Sequence, residues 1–191
     1  HKELFAETQR LVRLLAQLPA VREGSAASCS AFLTHLFKQD LAPRYSSFFA
    51  VRPNGDVFCS SAPLKRRINA ADQAYYRRVM SSRAFAIGDY QIGRITGRAV
   101  IVLAQPVLDA AGEVQAIVGA GVDLAWLGRL AADARLPDNS TLTMIDQNGV
   151  VLVRYPDSDK WLGSSTANTP LFKIVRARGD DYELIAGERR W

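Results

Sequence analysis

The chain has 191 residues, 48% hydrophobic and 23% charged, a balance that excludes a disordered polymer and allows one substantial core or two small ones. Its 24 basic and 19 acidic residues leave a net charge of +5. The basic residues are scattered, and the densest runs, Lys65-Arg66-Arg67, Arg77-Arg78 and Arg189-Arg190, lack the interleaved aromatics of a nucleic-acid reader, so no nucleic-acid partner is expected. A mildly basic face would suit the neighbourhood of an anionic membrane. No apolar run approaches the roughly 20 residues needed to cross a bilayer. The chain opens on His1 without an initiator Met or signal peptide, and is expected to be a region of a longer protein.

From Lys2 to Leu18, the residues Leu4, Thr8, Leu11, Leu15 and Leu18 recur at alternating spacings of four and three. This stripe predicts a long amphipathic helix, laid on its own sheet, paired with a second copy, or continued upstream into a membrane span. Pro19 is expected to close it. A second helix should begin near Ser25, carry Phe32, Leu33, Leu36 and Phe37 on one side, and end by Pro43. Tyr45 to Val51 and Val57 to Ser60 flank Asn54-Gly55 and predict a β-hairpin with a primed turn, in which both turn residues take positive φ. A loop with Pro63 leads to a short helix over 72–81, with Asp72 as its N-cap. Three strands follow, Ala86 to Ile92, Ala99 to Val107 and Val114 to Val122, punctuated by Gly93-Arg94-Ile95-Thr96-Gly97 and Asp109-Ala110-Ala111-Gly112. The last two are almost continuously apolar, as suits strands covered on both faces. The result is an antiparallel sheet of about five strands flanked by helices, an α+β module. Leu124 to Ala134 predicts a connecting helix.

The pattern then begins again. Phe49 to Phe58 is echoed by Thr143 to Leu152 around a second Asn-Gly pair, Asn148-Gly149, and Tyr76-Arg77-Arg78-Val79 by Phe172-Lys173-Ile174-Val175. Two tandem modules are implied. At the length of the first, the second would run past residue 191, so it is expected to be cut short or reduced.

Catalysis is not expected. The histidines are His1 and His35 alone, which leaves no hydrolase triad and no histidine-rich metal site. Asp138 and Asp180-Asp181 fall in turn-like segments, and Gly119-Ala120-Gly121 lies within a strand instead of a phosphate loop. No metal or other cofactor is implied. Cys29, on a predicted helix, and Cys59, on a predicted strand, have no zinc-type spacing. Two buried thiols and a disulfide across helix and strand both fit.

A long N-terminal helix followed by two modules, each opened by an Asn-Gly hairpin, resembles the double Cache, PAS-like sensor domain of bacterial membrane receptors. The resemblance is carried by Gly55-Asp56-Val57-Phe58-Cys59-Ser60-Ser61, Asp72-Gln73-Ala74-Tyr75-Tyr76-Arg77, Gly88-Asp89-Tyr90, Thr96-Gly97-Arg98, Gln105-Pro106-Val107 with Gly112, and Gly121-Val122-Asp123-Leu124. It implies a helical segment over 1–42, a membrane-distal module over 43–135 and a partial membrane-proximal module over 136–191. It implies a periplasmic place between two transmembrane helices outside this chain, a homodimer in the full receptor, and a histidine kinase, diguanylate cyclase or chemotaxis-type output. Such a compartment favours the Cys29–Cys59 disulfide.

In the family, the small-molecule ligand lies in the distal module. Carried over residue by residue, its contacts would be Tyr75, Tyr76, Tyr90 and Asp123, with Arg77, Arg94 or Arg98 as the cation for a carboxylate. Asp123 also reads as the N-cap of the helix that begins at Leu124. The chain departs from the amino-acid-binding subset, because the arginine two positions before the aromatic pair is Gln73 and the acid after the strand tyrosine is Ile92. An α-amino acid is therefore not the ligand this resemblance implies. The other reading is a ligand-free scaffold for dimerisation or protein contact.

Overall fold

A computed structural model describes residues 2–39, 41, 43–134, 136–137, 140–178 and 186–187. His1, Asp138, Asp180, Asp181, Arg189 and Arg190 lie outside these. In chain order the elements are α1 (Lys2–Leu15), α2 (Pro19–Arg22), α3 (Ala26–Lys38), β1 (Tyr45–Val51), β2 (Val57–Ser60), α4 (Ala74–Ser82), β3 (Ala86–Ile87), β4 (Gln91–Ile92), β5 (Ala99–Leu108), β6 (Val114–Asp123), α5 (Leu124–Asp133), β7 (Ser140–Ile145), β8 (Val151–Tyr155), α6 (Ser158–Trp161), α7 (Pro170–Arg178) and β9 (Ala186–Gly187). The architecture is α+β, as expected. Among the described residues, no helix is long and apolar enough to cross a membrane.

The chain divides into two compact units, His1–Asp123 and Leu124–Trp191. The division precedes α5, whereas the expected module ran on to residue 135; α5 packs on β8 and so belongs to the second unit.

The first unit is built on a six-stranded antiparallel sheet of order β2-β1-β6-β5-β3, with β4 also pairing with β5. Adjacent residues of a strand point to opposite faces, and β1 shows what covers each. Phe48 meets Phe37 of α3 edge to face, ring centroids 6.2 Å apart, while Phe49 meets Tyr75 of α4 at 5.9 Å. Helices α1 and α3 therefore cover one face, and α4 with the chain leading into it covers the other. Burial on both sides explains why β5 and β6 read as apolar runs without alternation, and every residue of β1, Ser46 and Ser47 included, is buried as well.

Most of the stripe on α1 is used within its own unit. Leu4, Thr8 and Leu15 are buried, and Val12 is buried in place of the expected Leu11, which is half-exposed, while Leu18 lies beyond the end of α1; α1 packs on β5 and β6. Inside this contact, the Thr8 hydroxyl donates to the Leu4 carbonyl oxygen at 2.7 Å and shares a hydrogen bond of 2.8 Å with the Tyr45 hydroxyl. Pro19 opens the short helix α2 instead of merely ending α1, because its fixed φ and missing N–H suit a first helical position.

Cys29 of α3 and Cys59 of β2 are joined by a disulfide, with Cα atoms 5.8 Å apart. It ties a helix to the edge strand of the sheet.

The two Asn-Gly loops share one geometry. Arg52 N–H donates to the Asp56 oxygen and Gly55 N–H to the Arg52 oxygen; Asp146 N–H to the Val150 oxygen and Gly149 N–H to the Asp146 oxygen repeat the pattern. Only the glycines take positive φ, +89° at Gly55 and +78° at Gly149. Each turn is thus a three-residue loop ending in a left-handed glycine, not the two-residue primed turn expected from Asn-Gly. In both units the returning chain seals the loop: Ala70 N–H donates to the Gly55 oxygen and Thr166 N–H to the Gly149 oxygen. The repeat read from sequence is a repeat of backbone hydrogen bonding. The described part of the second unit has a three-stranded sheet of order β8-β7-β9, with α5 and α6 packed on β8.

Two further elements differ from expectation. The strand expected over 86–92 is interrupted at Gly88, which donates to the Val102 oxygen at 2.7 Å and where a Cβ would lie 3.2 Å from the Tyr75 Cβ, a tight contact. Helix α4 starts one turn position later than expected, with Gln73 in the N-cap position and no side-chain cap. The Asp72 carboxylate is engaged elsewhere.

Candidate ligand-binding site

A cavity opens in the first unit between the sheet and the chain that crosses it. Its floor is Ser47 and Phe49 of β1, Val57 of β2, Val100 and Val102 of β5, and Gly121 of β6. Ile68, Ala70, Gln73 and Tyr75 form one wall, and Gln91, Gly93, Arg94, Ile95 and Thr96 the other. The free space is about 410 Å³ counting the open mouth, of which about 30 Å³ is open to the centre of a water molecule. That is room for roughly two waters.

Local sequence explains each wall. The turn between β4 and β5 is closed by Gly93 N–H to the Arg98 oxygen and Gly97 N–H to the Gly93 oxygen, both 2.8 Å, with Gly97 at φ +73°. This turn lifts Arg94, Ile95 and Thr96 over the sheet. On the floor, a Cβ at Gly121 would lie 2.8 Å from the Ser46 hydroxyl, so glycine there leaves space for the buried Ser46. The Thr96 hydroxyl oxygen is buried without a hydrogen-bond partner at the cavity wall.

Across the mouth, Arg94 reaches from one wall to the other. Its guanidinium donates to both carboxylate oxygens of Asp72, at 2.7 and 2.6 Å, and to the Asn69 carbonyl oxygen at 2.6 Å. The fork holds the Asp72 carboxyl near pKa 2, and the carboxylate in turn raises the arginine. Asp56 is also held near 2, first by hydrogen bonds from Arg67 and then from Asn69. Burial pushes the Tyr75 phenol up, against the opposing field of Arg94.

The lowered value fixes a pH dependence. Since Asp72 ionises more readily folded than at its ordinary value of 3.8, the clasp is complete above that value and is lost as pH falls toward about 2. A carboxyl-carbon NMR titration should place the Asp72 midpoint below 3.8, moving back toward 3.8 in Arg94→Gln. An unmoved midpoint would remove Arg94 as its cause.

Of the residues singled out in the sequence, Tyr75 lines the cavity and Arg94, one of three candidate cations, stands at its mouth. Tyr76, Arg77, Tyr90, Arg98 and Asp123 are not part of the lining. Tyr76 is buried and donates to the Pro53 oxygen at 2.6 Å, Arg77 is exposed on α4, and Tyr90 is half-buried. Asp123, 1% exposed, forms an ion pair of 2.9 Å with Arg98. Sequence reasoning missed Ser46, Ser47, Phe49, Gln91 and Thr96, which the strand register and the 93–97 turn bring together.

A family model described as a Cache domain matches residues 2–189. The chain belongs to the Cache domain family. Cache domains are extracellular sensor domains of membrane receptors, and they bind ligands without catalysing a reaction. Sporulation kinase D of Bacillus subtilis (strain 168) is 30% identical over 91 residues, which cover 48% of this chain and 18% of that kinase. The extracellular domain of rpHK1S-Z16 has a similar fold, with a TM-score of 0.70 at 17% identity over 93% of this chain and 71% of that one. So does the ligand-binding domain of the Pseudomonas fluorescens chemoreceptor CtaA, solved with L-serine, with a TM-score of 0.66 at 17% identity over 85% of this chain and 68% of that one. This Cache domain thus shares its fold with sensors of both kinase and chemoreceptor type.

Proposed function

We propose that this Cache domain is the periplasmic sensor of an inner-membrane receptor, that it binds a small molecule in the cavity of its first unit, and that it relays occupancy to a cytoplasmic kinase, cyclase or chemotaxis-type output. The observation that carries the reading is the cavity itself: an apolar floor of Phe49, Val100 and Val102 beneath convergent polar groups from Ser46, Ser47, Gln73, Gln91, Arg94 and Thr96. Tyr75 gives it a flat aromatic wall. The second unit, which repeats the loop pattern, is the candidate relay toward the membrane. In the full receptor the partners are the membrane, through flanking helices, and a second copy of the chain.

A signal requires that the ligand bind two states of the domain with different affinity. The first step is measurable on the 191-residue chain. Melting should be followed against small carboxylates, amines, amides, amino acids and nucleobases. A ligand at about 100 times its Kd is expected to stabilise by about 2.7 kcal/mol, and Thr96→Trp, which overfills the cavity from the turn, should abolish that shift at the cost of some basal stability. The absence of a shift with every class, together with concentration-dependent dimerisation, would replace the sensor by a scaffold.

A further inference from the structure

We propose that the ligand of this cavity is a small carboxylate lacking a cationic amine, and that it binds by taking the place of Asp72 on the Arg94 guanidinium. The inference rests on the sensor reading above and names the class of molecule sensed.

The first argument is charge. Among the lining residues Arg94 is the one charged side chain, and no aspartate or glutamate lines the cavity. An ammonium group brought inside would give up its water for neutral hydroxyls and amides alone, which is costly. A carboxylate would meet a planar fork of donors suited to it. The second argument is that this fork already holds a carboxylate in the required geometry. Both oxygens of Asp72 are bound, at 2.7 and 2.6 Å, so the arrangement is a bidentate site occupied by the chain's own acid.

The third argument is exchangeability. The Arg94 and Asp72 side chains are 40% and 62% exposed, and an ion pair so open to water is held weakly. Arg94 lines the cavity and Asp72 does not. A ligand that displaces Asp72 would therefore leave Arg94 tied to the 69–73 segment through the Asn69 carbonyl oxygen, loosening that link while keeping the guanidinium charge neutralised. The contact that leaves is the ion pair across the mouth. Occupancy is thereby coupled to the link between the two walls, which supplies the two states a sensor needs. The remaining groups suit the rest of a short molecule. Phe49, Ile95, Val100 and Val102 accept a short carbon chain, and the unpartnered Thr96 hydroxyl and Ser46 offer hydrogen bonds to a hydroxyl or keto oxygen. The small enclosed space limits the chain to a few carbons.

The test uses calorimetric titration of the whole chain with propionate, lactate and pyruvate, and with propionamide, lactamide, ethylamine and L-alanine as matched probes. The three carboxylates are expected to bind, and the amides and the amine not. Asp72→Asn removes the internal competitor and should tighten carboxylate binding about two- to fivefold. Arg94→Gln should weaken it at least about tenfold. Both positions are exposed, and circular dichroism of each variant checks that it folds. Equal binding of amide and carboxylate, tighter binding of L-alanine than of lactate, or unchanged lactate affinity in Arg94→Gln would overturn the carboxylate assignment and leave the sensor reading standing. Looser carboxylate binding in Asp72→Asn would overturn the competition. If none of these compounds binds wild type or Asp72→Asn, the carboxylate assignment falls, and the sensor reading is then decided by the wider melting screen.

Discussion

Replacing Cys29 and Cys59 together by alanine is expected to lower the stability of the first unit by about 3–4 kcal/mol. The bond closes a segment of 30 residues, and a loop of that length loses this much conformational freedom in the unfolded chain when cross-linked. Both residues are fully buried, so alanine leaves little strain, and most of the effect comes from the unfolded state. The same loss should follow from a reductant strong enough to open the bond. Denaturant unfolding of the wild type with and without reductant, beside the double variant, measures it. Identical midpoints for all three would show that the cross-link contributes nothing.

Gly119→Val is expected to cost about 2–3 kcal/mol and to remove ligand-induced stabilisation as well. Gly119 lies on β6 directly opposite Phe49 of β1 and Ala104 of β5, and a Cβ there would enter the space of the Phe49 ring. The ring meets Tyr75 edge to face and forms part of the cavity floor, so displacing it disturbs the floor and the aromatic wall together. The strand is central and buried on both faces, so the backbone has little freedom to yield. A Gly119→Val variant that melts and binds like wild type would show that the Phe49 ring has another place to go.

Much of this fold was legible because its signals are local. The continuous apolar runs of β5 and β6 announced strands covered on both faces, and the second Asn-Gly pair announced the repeat. What local sequence could not supply was competition between partners. Asp72 before an apolar segment has the look of an N-cap, but Arg94, more than twenty residues downstream in the chain, takes its carboxylate. The turn type was missed for a related reason. Asn-Gly permits two positive-φ residues, but in the first loop Pro53 has its φ fixed in the negative range, which suits an ordinary turn ending in Gly55, and in the second the Asp146 carboxylate accepts from the Asn148 and Val150 N–H groups.

At the site, Tyr75 could be read from its place in a short aromatic motif. Arg94 could be named as a candidate but not chosen over Arg77 and Arg98, because the choice depends on where the 93–97 turn folds back. Ser46, Ser47 and Phe49 carry no motif. Their place in the cavity follows from the pairing of β1 with β6, which sets Ser47 against Gly121 and Phe49 against Gly119, and register between strands so far apart in sequence is a tertiary property.

The hydrogen bond between Thr8 and Tyr45 also limits how this domain can move. It lies inside the contact between α1 and the sheet, where burial raises the Tyr45 phenol. Sliding α1 along the sheet by one residue, about 1.5 Å, would draw the two hydroxyls apart and strand the tyrosine oxygen in an apolar setting, at a cost of about 1–3 kcal/mol. The helix is therefore pinned like a key in its keyway. A piston stroke of α1 against its own sheet is opposed, whereas a rotation that carries helix and sheet together leaves the pin intact.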